Sequence, residues 1–171
     1  KGIRGTHQKD IYGQQMRPMA MALANDEAMK NVAAYVATFK EKLVAVEEKT
    51  SEPTSVETIA LSSLGSAENG KALYSVCVSC HGVDGAGNKA LNAPRIAGQQ
   101  EWYLKRQLAA FKSGMRGTHS EDIYGMQMRP MSMTLTNEQA IADVSAYVNS
   151  LDGPISETTI KGDVTAGKAS Y

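Results

Sequence analysis

The chain has 171 residues with 18 basic and 18 acidic side chains, so its formal net charge is zero. That balance argues against a nucleic-acid binder, which would show a basic excess. The length leaves room for one or two small domains, and no apolar run approaches the length of a membrane-spanning helix.

The opening residues read like the interior of a domain, without a signal-peptide pattern. Gly5-Thr6-His7-Gln8-Lys9-Asp10-Ile11-Tyr12-Gly13 returns 112 residues later as Gly117-Thr118-His119-Ser120-Glu121-Asp122-Ile123-Tyr124-Gly125. Met16-Arg17-Pro18-Met19 returns as Met128-Arg129-Pro130-Met131, and Ala34-Tyr35-Val36 as Ala146-Tyr147-Val148. Such self-similarity marks repeated structural units. Residues 1–40 are therefore expected to be the C-terminal half of a domain. In that half Ala24 stands where the second copy has Thr136, so Asn25 is the candidate cap of its last helix. Residues 41–63 are rich in charge, Thr and Ser and contain Pro53, which predicts an interdomain linker.

A complete domain is expected over residues 64–151. Its first helix is predicted over 67–75, capped by Ser66. The segment Cys77-Val78-Ser79-Cys80-His81 follows. Two thiols three positions apart can reach the two vinyl groups on one edge of a porphyrin. The adjacent imidazole can then turn under the ring and bind the iron, so the pattern reads as an attachment site for c-type haem. A zinc site would want a fourth ligand, normally from a second ligand pair with its own spacing. Only His7 and His119 remain, and neither lies in such a pair. A thioredoxin-like redox pair would need a βαβ setting, which the pattern lacks. The motif uses both cysteines of the chain, leaving none for a disulfide.

Beyond the motif come a glycine-rich loop over 82–87 and a helix predicted over 100–112. Tyr103, Leu104, Leu108, Ala109 and Phe111 form its apolar positions, and Gly114 ends it. A last helix is predicted over 137–150, with Thr136 and Gln139 as a capping box. Its buried stripe is Ile141, Val144, Tyr147, Val148 and Leu151. No alternating pattern predicts a sheet. The polypeptide core is small, so a covalently held porphyrin would supply much of the apolar interior.

Met128 and Met131 are the candidates for an iron ligand opposite His81. Both stand after a polar loop and before the last helix. A Met stripe often only fills core gaps, but the position between motif and capped helix favours ligation. The repeated His119 and His7 are rival ligands or, on the plainer reading, loop histidines making local hydrogen bonds. Arg116 and Arg129 are either partners of haem propionates or solvated loop residues.

Residues 152–171 close the chain with Gly167-Lys168-Ala169-Ser170-Tyr171, a copy of Gly70-Lys71-Ala72-Leu73-Tyr74. They are expected to be a linker and the N-terminal helix of a domain. The counterpart of residues 75–112, with a second haem motif, is absent between this segment and residues 1–40. The chain is then either an excerpt of a longer multihaem array or a two-haem protein in rearranged order. The two ends are expected to lie together as one haem domain.

The assembled motifs resemble the class I bacterial cytochromes c, most closely the dihaem c4 type. The matching residues are Gly70 and Tyr74, Cys77-Val78-Ser79-Cys80-His81-Gly82, Pro94-Arg95-Ile96-Ala97-Gly98-Gln99, Tyr103 to Leu108, Met128-Arg129-Pro130 and Ala146-Tyr147. The resemblance implies an all-α cytochrome c fold, with three main helices wrapped around covalent haem. It implies Met128 as axial ligand, since Leu135 stands seven further on, and Met16 in the half-domain by the same spacing. It gives the Pro94 carbonyl a hydrogen bond from the His81 ring. It lets Gly70 bring the first and last helices close, beside Tyr74 and Tyr147. The implied function is a periplasmic electron carrier rather than an enzyme. Its donors and acceptors would be a quinol-oxidising complex and a terminal oxidase or reductase. The alternative is a haem-bearing subunit of a larger oxidoreductase. A peroxidase, or a metal-binding module without redox function, are the remaining classes.

Overall fold

The computed structural model describes residues 5–41, 65–155 and 160–171. The linker expected over 41–63 falls almost wholly outside them. Eight α-helices are described: α1 (Ile11–Met21), α2 (Asp26–Ala37), α3 (Ala67–Leu73), α4 (Val78–His81), α5 (Glu101–Lys112), α6 (Ile123–Met133), α7 (Glu138–Asn149) and α8 (Val164–Ser170). Among the described residues the only β pairing is an isolated antiparallel bridge between Asn88 and Ala93. The chain divides into two compact units. The larger comprises Lys1–Asp10 and Ile59–Ser156, the smaller Ile11–Thr58 and Glu157–Tyr171.

In the larger unit the main helices are α3, α5 and α7. Ser66 caps α3, its side chain accepting from the Asn69 amide at 3.3 Å. Gly114, at φ +79°, turns the chain away after α5. The cap of α7 differs from the sequence expectation by one residue. Asn137, not Thr136, accepts from the Ala140 amide at 2.8 Å. The Gln139 side-chain amide donates to Asp143 at 2.7 Å. Asn137 and Thr136 are both cap-competent, and Asn is slightly the better N-cap.

Helix α6 is a further element beyond the three predicted. It holds Pro130 in its interior and is capped by Asp122, which accepts from the Gly125 amide at 3.1 Å. Ile141, Val144 and Val148 of α7 are buried with Tyr74, Leu104, Leu135 and Ala140. Cys77, Val78, Ile96, Tyr147 and Leu151 pack around this core.

Helices α3 and α7 cross at very short range. A Cβ at Gly70 would overlap the Asp143 carbonyl and come within 2.8 Å of Tyr147 Cβ. Only glycine permits that approach. Asp143 reaches across the crossing and accepts from the Ser66 amide at 2.8 Å. The rings of Tyr74 and Tyr147 lie 5.3 Å apart.

The smaller unit repeats this crossing between α2 and α8. Gly167 faces the Asn31 carbonyl and Tyr35 Cβ, at the places of Asp143 and Tyr147. Asn31 Oδ1 accepts from the Asp163 amide at 2.8 Å. Tyr35, Phe39 and Tyr171 form a three-ring cluster with centroids 5.0 to 5.7 Å apart. Asn25 caps α2 through the Ala28 amide at 2.8 Å. Helices α2 and α8 are thus packed on each other within the smaller unit.

Candidate haem-attachment site

The thiols and the imidazole stand on one helical turn. Cys77 precedes α4, while Cys80 and His81 lie within it. The His81 amide donates to the Cys77 carbonyl at 2.9 Å. The turn ends at Gly82, whose φ of +81° reverses the chain. Tyr74 braces this reversal, its hydroxyl donating to the Gly82 carbonyl at 2.8 Å. Burial, and behind it the neighbouring Cys77, pushes the Tyr74 hydroxyl up to about 12. It remains a proton donor throughout the neutral range.

His81 is buried, and its orientation is fixed from two sides. Its carbonyl accepts from the Gly87 amide at 2.8 Å. Its ring Nδ1 lies 2.9 Å from the Pro94 carbonyl oxygen. A carbonyl oxygen can only accept, so Nδ1 carries the proton and donates. In the neutral ring this tautomer leaves the lone pair on Nε2, the form in which imidazole binds a metal. The Pro94 carbonyl is held in place by its surroundings. The Asn88–Ala93 bridge closes the small loop before it. The Gly85 carbonyl accepts from the Ile96 and Ala97 amides, at 2.9 and 3.1 Å, just after it. Gly87 must be glycine, because a Cβ there would lie 2.6 Å from the Pro94 carbonyl carbon and the Arg95 amide. Arg95 then forks onto the Gly153 carbonyl through Nε at 3.3 Å and Nη2 at 2.8 Å. That contact ties the segment to the chain leaving α7.

Both cysteines are free thiols, Cys77 half-buried and Cys80 exposed. Burial, and then the nearby Cys80, pushes the Cys77 thiol up to about 11. Val76, Leu91, Tyr103, Met126 and Met131 all remain exposed in this unit. Two thiols, one oriented imidazole with a ligating nitrogen and an excess of uncovered apolar surface are what a covalently attached porphyrin would use. The residues fit that group.

Cys77, Cys80, His81 and Pro94 therefore form one cluster. Met128 is carried by α6, which packs against α5. It is half-buried, whereas Met126, Met131 and Met133 on the same helix are exposed. Leu135, seven residues on, is buried. Met16 belongs to the smaller unit and is 64% exposed on α1. The repeated histidines make local bonds. His119 Nδ1 accepts from the Glu121 amide and His7 Nδ1 from the Lys9 amide, each at 3.2 Å. Sequence reasoning gave no role to Arg95 or Gly87. The only signal was their place near Pro94, since a backbone clamp leaves no motif of its own.

One family model and three relatives bear on the site. A family model described as Cytochrome c matches residues 67–152. Cytochrome c4 of Stutzerimonas stutzeri is 38% identical over 93 residues, covering 53% of this chain and 43% of that protein. Cytochrome c-554(548) of Halomonas halodenitrificans is 35% identical over 86 residues, covering 50% of this chain and 96% of that protein. A Stutzerimonas stutzeri protein named thiosulfate dehydrogenase electron acceptor is 32% identical over 108 residues, covering 58% of this chain and 46% of that protein. The chain spans less than half the length of the first and third of these relatives.

Proposed function

We propose, from the premise that this chain belongs to the cytochrome c family, that it is an electron carrier working through His/Met-ligated haem. Membership implies covalently bound haem c, and Cys77, Cys80 and His81 fit its attachment. The observation that carries the proposal is the His81–Pro94 hydrogen bond of 2.9 Å, which presents Nε2 as a ligand. Bound haem supplies a one-electron ferric–ferrous couple. Cys77 and Cys80 fix the ring through two thioethers. His81 and Met128 would ligate its iron. With both axial positions filled by side chains, no iron position is left for a substrate, which favours carriage of electrons over catalysis. Met raises the potential relative to a second imidazole.

The smaller unit is proposed as a second haem domain with Met16 as axial ligand, completed by a segment corresponding to residues 75–112. The repeated α2–α8 crossing supports this, as do the exposed Ile11, Met16 and Met19 of α1. A soluble protein rarely leaves such a face uncovered. On this reading residues 1–40 and 152–171 form one domain and 64–151 the other.

The proposed setting is the bacterial periplasm, with a quinol-oxidising complex as donor and a terminal oxidase or reductase as acceptor. No described helix is long and apolar enough to cross a membrane. A second reading is a haem-bearing subunit of a larger oxidoreductase. The relative whose name makes it the electron acceptor of a dehydrogenase favours it.

The test is spectroscopic. The haem-loaded chain should show a c-type pyridine-haem spectrum and, when ferric, the iron–thioether charge-transfer band. Met128→Ala should abolish the band and lower the potential, while Met131→Ala should keep it. The opposite pattern transfers the ligand to Met131. In the natural protein, an intact mass giving one haem, or a Met16→Ala variant with unaltered spectrum, refutes the second site.

A further inference from the structure

Arg129 is one residue beyond Met128 on α6, and its Nε has no hydrogen-bond partner although it is closed off from water. The guanidinium packs against the turn after α5. A Cβ at Gly114 would lie 3.7 Å from its Nη2 and 3.8 Å from its Nε. Arg129 thus lies on α6 with its Nε shielded, rather than on a free loop. Asp122, at the start of the same helix, gives its oxygens to the Gly117 and Gly125 amides at 3.2 and 3.1 Å. Native proteins leave few buried donors unpaired, and each one calls for a partner. The natural partner of a guanidinium whose Nε–H is closed off from water is an anion, best a carboxylate matching its planar fork.

We propose that Arg129 donates its Nε–H to a porphyrin carboxylate of the haem held at Cys77 and Cys80, and so positions the ring edge. The inference rests on the haem reading above. A porphyrin brings its own carboxylates into the fold, on the edge opposite its vinyl groups. Arg129 shares its helix with the proposed axial ligand but points to another part of the helix circumference, about 100° away. Met128 would reach the centre of the ring and Arg129 its rim. Arg116, on the same turn as Gly114, is already engaged with Gln107 Oε1 at 2.6 Å and lies 4.1 Å over the Phe111 ring. It would hold the turn on which Arg129 rests.

The test compares haem-loaded wild type, Arg129→Gln and Arg129→Lys. In the ferric wild type, the Arg129 Nε–H resonance should be protected from exchange and shifted by the paramagnetic iron. Arg129→Gln should keep covalent haem and the charge-transfer band but move the propionate bending band in resonance Raman. It should also make reduction roughly tenfold less favourable, about the effect of one unit charge some 10 Å from the iron at an effective dielectric near 20. That corresponds to about 59 mV downward for one electron. Arg129→Lys should restore the potential and not the Raman band, because Lys keeps the charge without the fork. An unshifted, freely exchanging Nε–H in the wild type overturns the proposal even if the Gln variant does not fold. So does a Gln variant with unmoved band and potential. Failure of the wild type to carry covalent haem would instead sink the underlying reading together with this one.

Discussion

Replacing Gly70 by Ala sets two effects of opposite sign against each other. Helix propensity alone favours Ala over Gly by about 1 kcal/mol in a helix interior. The crossing with α7 opposes it. The new Cβ would overlap the Asp143 carbonyl, with the carbonyl carbon at 2.6 Å and Tyr147 Cβ at 2.8 Å. The obstacle is helix backbone, which cannot rotate aside like a flexible side chain, so the overpacking cost belongs near the upper end of about 1–3 kcal/mol. The net expectation is a loss of about 2 kcal/mol. For a domain of this size each kcal/mol moves Tm by about 4–8 °C, giving a fall of about 8–16 °C. The assay is thermal unfolding of the haem-loaded protein, followed by far-UV circular dichroism and by visible absorbance. A Tm that is unchanged or raised in Gly70→Ala would refute the close-crossing argument. Gly167→Ala repeats the experiment at the α2–α8 crossing and should also destabilise.

The Ser66 amide, with burial opposing and Gln139 assisting, holds the Asp143 carboxyl below the usual carboxylate range. Its stabilisation is therefore complete above the unfolded value of about 3.9 and is lost as pH falls through the lower folded value. Asp143→Asn, which copies Asn31 of the smaller unit, should flatten the acid limb of the stability curve below about pH 4. An unchanged acid limb contradicts this linkage. Asp143→Ala should cost about 1–3 kcal/mol at neutral pH by orphaning the Ser66 amide, measured as a lower urea midpoint. Asn137→Ala should lose about 1 kcal/mol of stability, while Thr136→Ala should leave the midpoint in place; the reverse would return the cap to Thr136. Removing Cys77 or Cys80 should leave a single thioether link, and removing both should abolish covalent haem, read by mass under denaturing conditions. Covalent haem in the double variant would defeat the attachment argument.

The haem motif, the Ser66 cap and the α7 stripe were legible because each is written in adjacent or periodic residues. Helix α6 was hidden by Pro130, which lacks the N–H that would bond to the Met126 carbonyl and so reads as a breaker. The structure accommodates it inside an 11-residue helix. The Asn137 cap was legible in principle, since the first copy, with Ala at position 24, already pointed to Asn25, its equivalent. The clamp around Pro94 was not. It consists of main-chain bonds from Gly85, Gly87 and the Asn88–Ala93 bridge, whose partners are set by geometry rather than side-chain chemistry. Close backbone approach leaves only glycines as a trace, and a glycine-rich loop has many conformations.

The bond between Ser66 and Asp143 spans 77 positions of sequence, and this imposes an order on assembly. A chain made from its N-terminus presents α3 and the two thiols well before α7 exists to lock them. During that interval Cys77 is solvated, and its proton is lost far more readily than from the folded thiol at about 11. Once α7 arrives, Tyr74 is sealed beneath Tyr147 and the thiol is partly enclosed. Bond formation between Cys77 and a porphyrin would therefore be easier before closure, while that thiol is fully accessible. A chain that closed first would offer a half-enclosed Cys77 beside an exposed Cys80. Slowing the arrival of α7 should then favour the link through Cys77, and hastening it should favour a single link through the exposed Cys80.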